Sequence, residues 1–132
     1  MNPGLRIQRV LAVVAMLFGG VTIFASGRVL LGADPGYVVF RPLLVFNAVM
    51  GWAYVGAGIA AWRSVVAGRQ VAAAIFALNL FVLVAIGALY MAGDTRVAIQ
   101  SVLAMTLRTL VWLALLAGFA WLGRRSGTAG RG

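Results

Sequence analysis

Cysteine, histidine, lysine and glutamate are all absent from the 132 residues, and Asp34 and Asp94 are the only acids. Each absence closes a class of chemistry. Without thiolate or imidazole, the usual ligands of zinc, copper, iron–sulfur clusters and His-bound haem are missing, so neither a metal centre nor a cofactor is expected. Disulfides cannot form, and cysteine usage says nothing about redox compartment. Two aspartates in loop-like segments supply neither a nucleophile with its base nor a carboxylate pair, so the chain is not expected to be an enzyme. No Gly-rich loop runs into a Lys and a Ser or Thr, which excludes a P-loop phosphate cradle. Proton-coupled pumps rely on an Asp, Glu or His inside the membrane, and no apolar run here holds one.

Apolar residues fill the gap. They make up 64% of the chain, and the mean hydropathy is +1.05, far above the roughly 45–50% apolar content of soluble domains. This is the composition of an integral membrane protein, and too little chain lies outside the apolar runs for a separate soluble domain. Residues 1–132 therefore read as a single transmembrane domain whose first partner is the lipid bilayer. The formal charge of +9 comes from arginine alone. A nucleic-acid binder can be that basic, but these arginines stand singly or in pairs at the ends of apolar runs, where they anchor helices to the membrane edge. Nucleic acid is not an expected partner. Exclusive use of arginine is in keeping with a GC-rich bacterial genome, and so with the bacterial inner (plasma) membrane.

Four runs are long enough to matter. The all-α fold expected is an antiparallel four-helix membrane bundle with helices near 8–26, 42–62, 71–92 and 96–123. The first run follows Arg6 and Arg9 and resembles a signal peptide in outline, but Ile23 fits poorly before a cleavage site near Ala25, so it is read as the first helix. Its residues Ala15, Gly19, Thr22 and Ser26 share one helical face suited to close packing. Pro42 opens the second run, as proline does at the first turn of a helix. There Asn47, Gly51, Tyr54 and Gly58 share a face, combining an amide and a phenol with two glycines. Small residues and side-chain hydrogen bonds hold helices together in lipid, so this face should point into the bundle or toward a partner. In the third run, Ala73, Ala77, Val84 and Ala88 form a small-residue side, and Asn79 is the strongly polar group near the middle.

The connections carry turn signals. Between the first two runs, Arg28–Leu31 and Tyr37–Phe40 flank Gly32-Ala33-Asp34-Pro35-Gly36, which reads as two extended arms around a turn or as an apolar flap. Such a segment caps the bundle or acts as a lid over a pocket between helices. Arg63 to Gln70 reads as a tight polar turn, and Asp94 as the N-cap of a last helix starting near Arg96. The tail, 126–132, is rich in glycine and expected to be disordered.

One position is unusual. Arg108 interrupts the last apolar run, leaving 11 uncharged residues before it from Val97 and 15 after it to Gly123. Neither stretch alone reaches the ~20 residues that cross the ~30 Å hydrocarbon core, so the guanidinium must be carried into the bilayer. It sits ~8 Å below the nearer edge. A central charge costs at least ~2.5–3.5 kcal/mol, and helical side chains tilt toward the N-terminus, so it should snorkel outward. Neutral groups that could meet it are Asn47, Tyr54, Thr22 and Ser26. Its helical face carries Ser101, Met105, Trp112, Leu115 and Phe119, bulky enough to face lipid, while Ala104, Ala114 and Gly118 make a smaller side. Arg108, Asn47, Tyr54 and Asn79 are thus the candidate ligand or interhelical polar residues, and Gly19, Gly51, Gly58 and Gly118 the candidate helix-packing glycines.

Two function classes remain. The first is a non-catalytic accessory, assembly or structural subunit of a larger membrane complex. The second is a small transporter or channel for an anion or amphipathic molecule, with Arg108 lining the path. Four short helices enclose little volume, so the second requires several copies. Self-association or membership of a larger membrane complex is expected in either case. Arg6, Arg9, Arg63, Arg69, Arg124, Arg125 and Arg131 on one side outnumber Arg28, Arg41 and Arg96 on the other, which places both termini in the cytoplasm.

Overall fold

Apolar runs in lipid must satisfy their own backbone polar groups, and the helix does so within one segment. In a computed structural model of the chain, which describes the backbone of residues 3–131 and the side chains of residues 3–125, four helices form: α1 (Pro3–Leu30), α2 (Arg41–Arg63), α3 (Val65–Met91) and α4 (Ile99–Arg131). All four are long and apolar enough to cross a membrane. At 1.5 Å per residue even the shortest, α2, spans ~34 Å against a ~30 Å core. They pack as antiparallel neighbours in the ring α1, α2, α3, α4, and the closing seam between α1 and α4 is the loosest. The expected tail, 126–132, lies outside the residues whose side chains are described.

The tightest seam joins α1 to α2 through glycine. A Cβ on Gly19 would stand 2.7 Å from the Gly51 carbonyl oxygen, and one on Gly51 would stand 3.1 Å from the Ile23 nitrogen. A Cβ on Gly58 would meet the Met16 side chain and lie 2.7 Å from the Ala12 carbonyl oxygen. Backbone thus rests on backbone, as small-residue faces allow. The expected faces Ala15, Gly19, Thr22, Ser26 and Asn47, Gly51, Tyr54, Gly58 are buried throughout. Gln8 fastens the end of this seam, its Nε2 donating to the Ala61 carbonyl at 2.7 Å. That carbonyl belongs to the last turn of α2 and has no partner within its own helix.

Two faces differ from expectation. Ser101, Met105, Trp112, Leu115 and Phe119 do not meet lipid; they are buried, and Trp112 and Phe119 fill the middle of the core. The reason is complementary size. Ala12, Ala15, Ala57 and Ala61 on α1 and α2 leave space that only large side chains opposite can occupy. On α3 the small side Ala73, Ala77, Val84 and Ala88 is exposed, while Gly68, Ala72, Ile75, Asn79 and Ile86 face inward. Burying Asn79 is what sets that rotation, since an amide facing hydrocarbon has no hydrogen-bond partner there.

The connections also differ. The expected turn at Arg63–Gln70 shrinks to Ser64, whose nitrogen donates to the Ala60 carbonyl at 2.9 Å while its hydroxyl accepts from Ala67 N at 3.2 Å. One residue ends α2 and caps α3, so Arg69 and Gln70 are helical. Helix α1 runs past position 26 to Leu30, which removes the first of the two extended arms. Gly32 and Gly36 take positive φ, and Asp34 Oδ1 accepts from Gly36 N at 2.8 Å, so the turn between them is as expected. Asp94 is not the N-cap of α4. Gly93 at φ 84° ends α3, and the Asp94 carboxylate instead accepts from Arg96 N at 2.9 Å and Arg96 Nη2 at 2.8 Å. Helix α4 starts only at Ile99.

Candidate functional site

The antiparallel order brings the ends of α1 and α3, the starts of α2 and α4 and the 31–40 connection to one end of the bundle. We call it the loop end; Arg6, Arg9, Arg63, Arg69, Arg124 and Arg125 mark the opposite, basic end. Depth below the loop end follows from residue count at 1.5 Å per residue. Asn47 lies ~9 Å below the start of α2 and Arg108 ~14 Å below the start of α4, with Tyr54, Trp112, Asn79 and Phe18 in a layer at ~18–20 Å.

A cavity of about 90 Å³ occupies the upper part, between α1, α2 and α4. Arg108 and Asn47 line it together, with Ser26, Ser101 and Tyr37. A smaller recess of about 40 Å³ adjoins it, sharing Tyr37, Asn47 and Ser101 and extending to Phe40. The connection between α1 and α2 therefore lies over a polar pocket, with Tyr37 in its wall.

Arg108 is half-buried in this wall and not out in lipid. Among the described residues it makes no hydrogen bond and no ion pair. Asp94 is held by Arg96, and the Asp34 carboxylate by its own turn. Asn47 is only 7% exposed, and its Oδ1 is buried without a hydrogen-bond partner. Of the other groups expected near Arg108, Ser26 shares the cavity. Thr22 instead donates to the Phe18 carbonyl at 2.8 Å, satisfying its hydroxyl within its own helix.

Tyr54 and Asn79 form a different unit. The Tyr54 hydroxyl donates to Asn79 Oδ1 at 3.2 Å across α2 and α3, wholly buried. The Tyr54 ring packs on Trp112 at 4.8 Å and Phe18 at 5.4 Å between centroids. These rings close the bundle below the cavity, and Phe119 continues the same core toward the basic end. Of the four polar candidates, then, Arg108 and Asn47 line one chamber, while Tyr54 and Asn79 belong to the plug beneath it. Gly118 receives Leu11 of α1, whose Cδ1 would lie 2.9 Å from an added Cβ, and Ala114 is exposed.

Sequence reasoning passed over Tyr37 and Ser101. The sequence marks Tyr37 as part of a lid and places Ser101 on a lipid face; which way Ser101 faces is settled only by the rotation of α4. At the basic end, the Arg9 guanidinium stacks over the Trp62 ring at 4.6 Å, beside a shallow apolar groove formed by Val10, Val13 and Val14. That is the ordinary chemistry of a membrane edge.

Neither a protein-family model, nor a curated protein, nor a solved structure matches this chain.

Proposed function

We propose that this four-span membrane protein is a non-catalytic accessory or structural subunit, resident in a bacterial inner membrane with both termini in the cytoplasm, and that a single copy does not conduct. The observation that carries this reading is the plug. Tyr54, Trp112 and Asn79 are each fully buried and share one layer ~18–20 Å below the loop end, the level where a path through the bundle would have to run. The polar chamber above them is a dead end on the side opposite the seven cytoplasmic arginines. Catalysis finds no support either, since both aspartates are engaged in loops and no other acid, imidazole or thiol is present.

The lipid-facing surface suits a subunit. Phe24, Trp52 and Phe81 are each about two-thirds exposed or more, available to acyl chains or to neighbouring helices of a complex. A second reading, transport by several copies, rests on Arg108 and its chamber. Reconstitution into liposomes separates the two. The subunit reading expects no flux of chloride, phosphate or a small carboxylate above the lipid background at any protein-to-lipid ratio. Flux that rises with protein and disappears in Arg108→Leu overturns it and installs the transport reading.

A further inference from the structure

We propose that the chamber under the 31–40 connection is a binding site for one oxyanion of the phosphate class, with Arg108 as its charge partner and Asn47 as its hydrogen-bonding partner. Three features of the molecule converge there.

First, Arg108 carries a guanidinium, it is half-buried, and neither acid of the chain pairs with it among the described residues. A permanent cation carried below the membrane surface without a counter-ion is a costly feature, and an anion in the chamber removes the cost. Second, Asn47 is buried, lines the same wall and forms no hydrogen bond among the described residues. Its amide nitrogen is a donor to an anion. Its oxygen is an acceptor for the hydroxyl of a protonated phosphate, a pairing that halide cannot offer.

Third, the serine hydroxyls of Ser26 and Ser101 stand in the same wall and can donate or accept as the ligand requires. Size agrees. About 90 Å³, roughly three waters at ~30 Å³ each, is room for one compact oxyanion. A planar guanidinium matches phosphate oxygens two at a time.

The phosphate group has two possible sources, a lipid head group entering from the outer leaflet or inorganic phosphate from water. The proposal holds for either, and it is independent of whether the chain assembles with other subunits.

The test uses the full chain in a non-ionic detergent. Inorganic phosphate and dihexanoyl phosphatidic acid are titrated separately, with dihexanoyl phosphatidylcholine as the zwitterionic control, and binding is read by native mass spectrometry and by the shift in Tm. Saturable binding of phosphate identifies the free ion as sufficient; saturable binding of phosphatidic acid alone identifies the amphiphile. Arg108→Leu should weaken the binding by at least about tenfold, the scale expected for one lost charge-assisted hydrogen bond. Asn47→Asp should abolish it, by placing a carboxylate on the wall that Arg108 shares. Arg41→Gln, which removes a cation at the same end but outside the chamber, should leave it unchanged. Should Arg108→Leu fail to fold, Asn47→Asp decides. The proposal is overturned if the wild type binds neither probe saturably, if binding survives Asn47→Asp, or if Arg41→Gln weakens it as much as the chamber variants do.

Discussion

Replacing Gly19 by alanine while leaving its neighbour Gly20 as a control isolates the force that holds α1 against α2. A Cβ at position 19 would lie 2.7 Å from the Gly51 carbonyl oxygen and 2.8 Å from Val55 N, whereas one at position 20 meets nothing within 4 Å. Val55 Cγ2 also lies 2.7 Å away, but the Gly51 oxygen and Val55 nitrogen are backbone, so no rotamer change relieves them. The two helices must part by about 0.6–0.7 Å to restore ordinary contact, and a gap of ~0.5–1 Å forfeits a quarter to a half of the dispersion well along the seam. Overpacking of this kind costs ~1–3 kcal/mol. The gain in helix propensity from glycine to alanine, at most ~1 kcal/mol, applies to both variants and cancels in their difference. Gly19→Ala should therefore be ~1–3 kcal/mol less stable than Gly20→Ala. Unfolding in dodecyl maltoside by added dodecyl sulfate, followed by far-UV circular dichroism, measures that difference. Equal stability of the two variants would refute the claim that backbone contact at Gly19 and Gly51 is the tight seam.

Further outcomes follow from the same structure. In the same assay, Gly58→Leu should destabilise more than Gly56→Leu, because an added Cβ at Gly56 meets nothing within 4 Å; equal losses contradict the packing. A double-mutant cycle of Tyr54→Phe with Asn79→Leu should give a coupling of ~0.6–1.7 kcal/mol, the range for interhelical hydrogen bonds in membranes, and zero coupling removes that bond from the account. Arg96, by hydrogen bonding and charge, holds the Asp94 carboxyl at about 2, below its ordinary 3.8. The folded value is depressed, so the stabilisation of the turn is complete above about pH 4 and is lost as pH falls toward 2. Protection factors at 92–98, with rates taken relative to the unprotected chain at the same pH, should fall over that window in the wild type and be low throughout in Asp94→Asn; a flat wild-type profile contradicts it. A C-terminal reporter active only outside the cytoplasm should stay silent, since seven arginines to three favour the basic end inside.

The legible part of this fold is the part that one helix determines by itself. Each apolar run announces a span because the bilayer demands ~20 residues. The inward faces of α1 and α2 are readable because glycine, threonine, serine and asparagine have reasons to avoid lipid. The inward face of α4 was not readable, since Met105, Trp112 and Phe119 are as comfortable in acyl chains as in a core. Their burial depends on the small residues opposite, a property of the pair of surfaces. Ser64 was hidden for another reason: one capping serine reverses the chain as well as a longer turn does, and Arg69 tolerates either. The candidate site was legible in its members and not in its grouping. Arg108 stands out in any apolar run, and Asn47 and Asn79 are both plain mid-helix amides. Which amide shares a chamber with the guanidinium depends on the packing of the helices: the chamber lies between α1, α2 and α4, and Asn79 on α3 is taken by the Tyr54 hydroxyl.

The absence of native cysteine makes the decisive measurement simple. Single substitutions Tyr37→Cys at the exposed edge of the chamber wall and Ala57→Cys below the plug, each in membranes of known sidedness, are exposed to a membrane-impermeant maleimide from either face. A blind chamber predicts that Tyr37→Cys is modified from the loop-end side alone and that Ala57→Cys resists modification from both sides while the protein remains folded. Modification of Ala57→Cys from the loop-end side would contradict the account, because water would then pass the Tyr54 and Trp112 rings into the centre of the bundle.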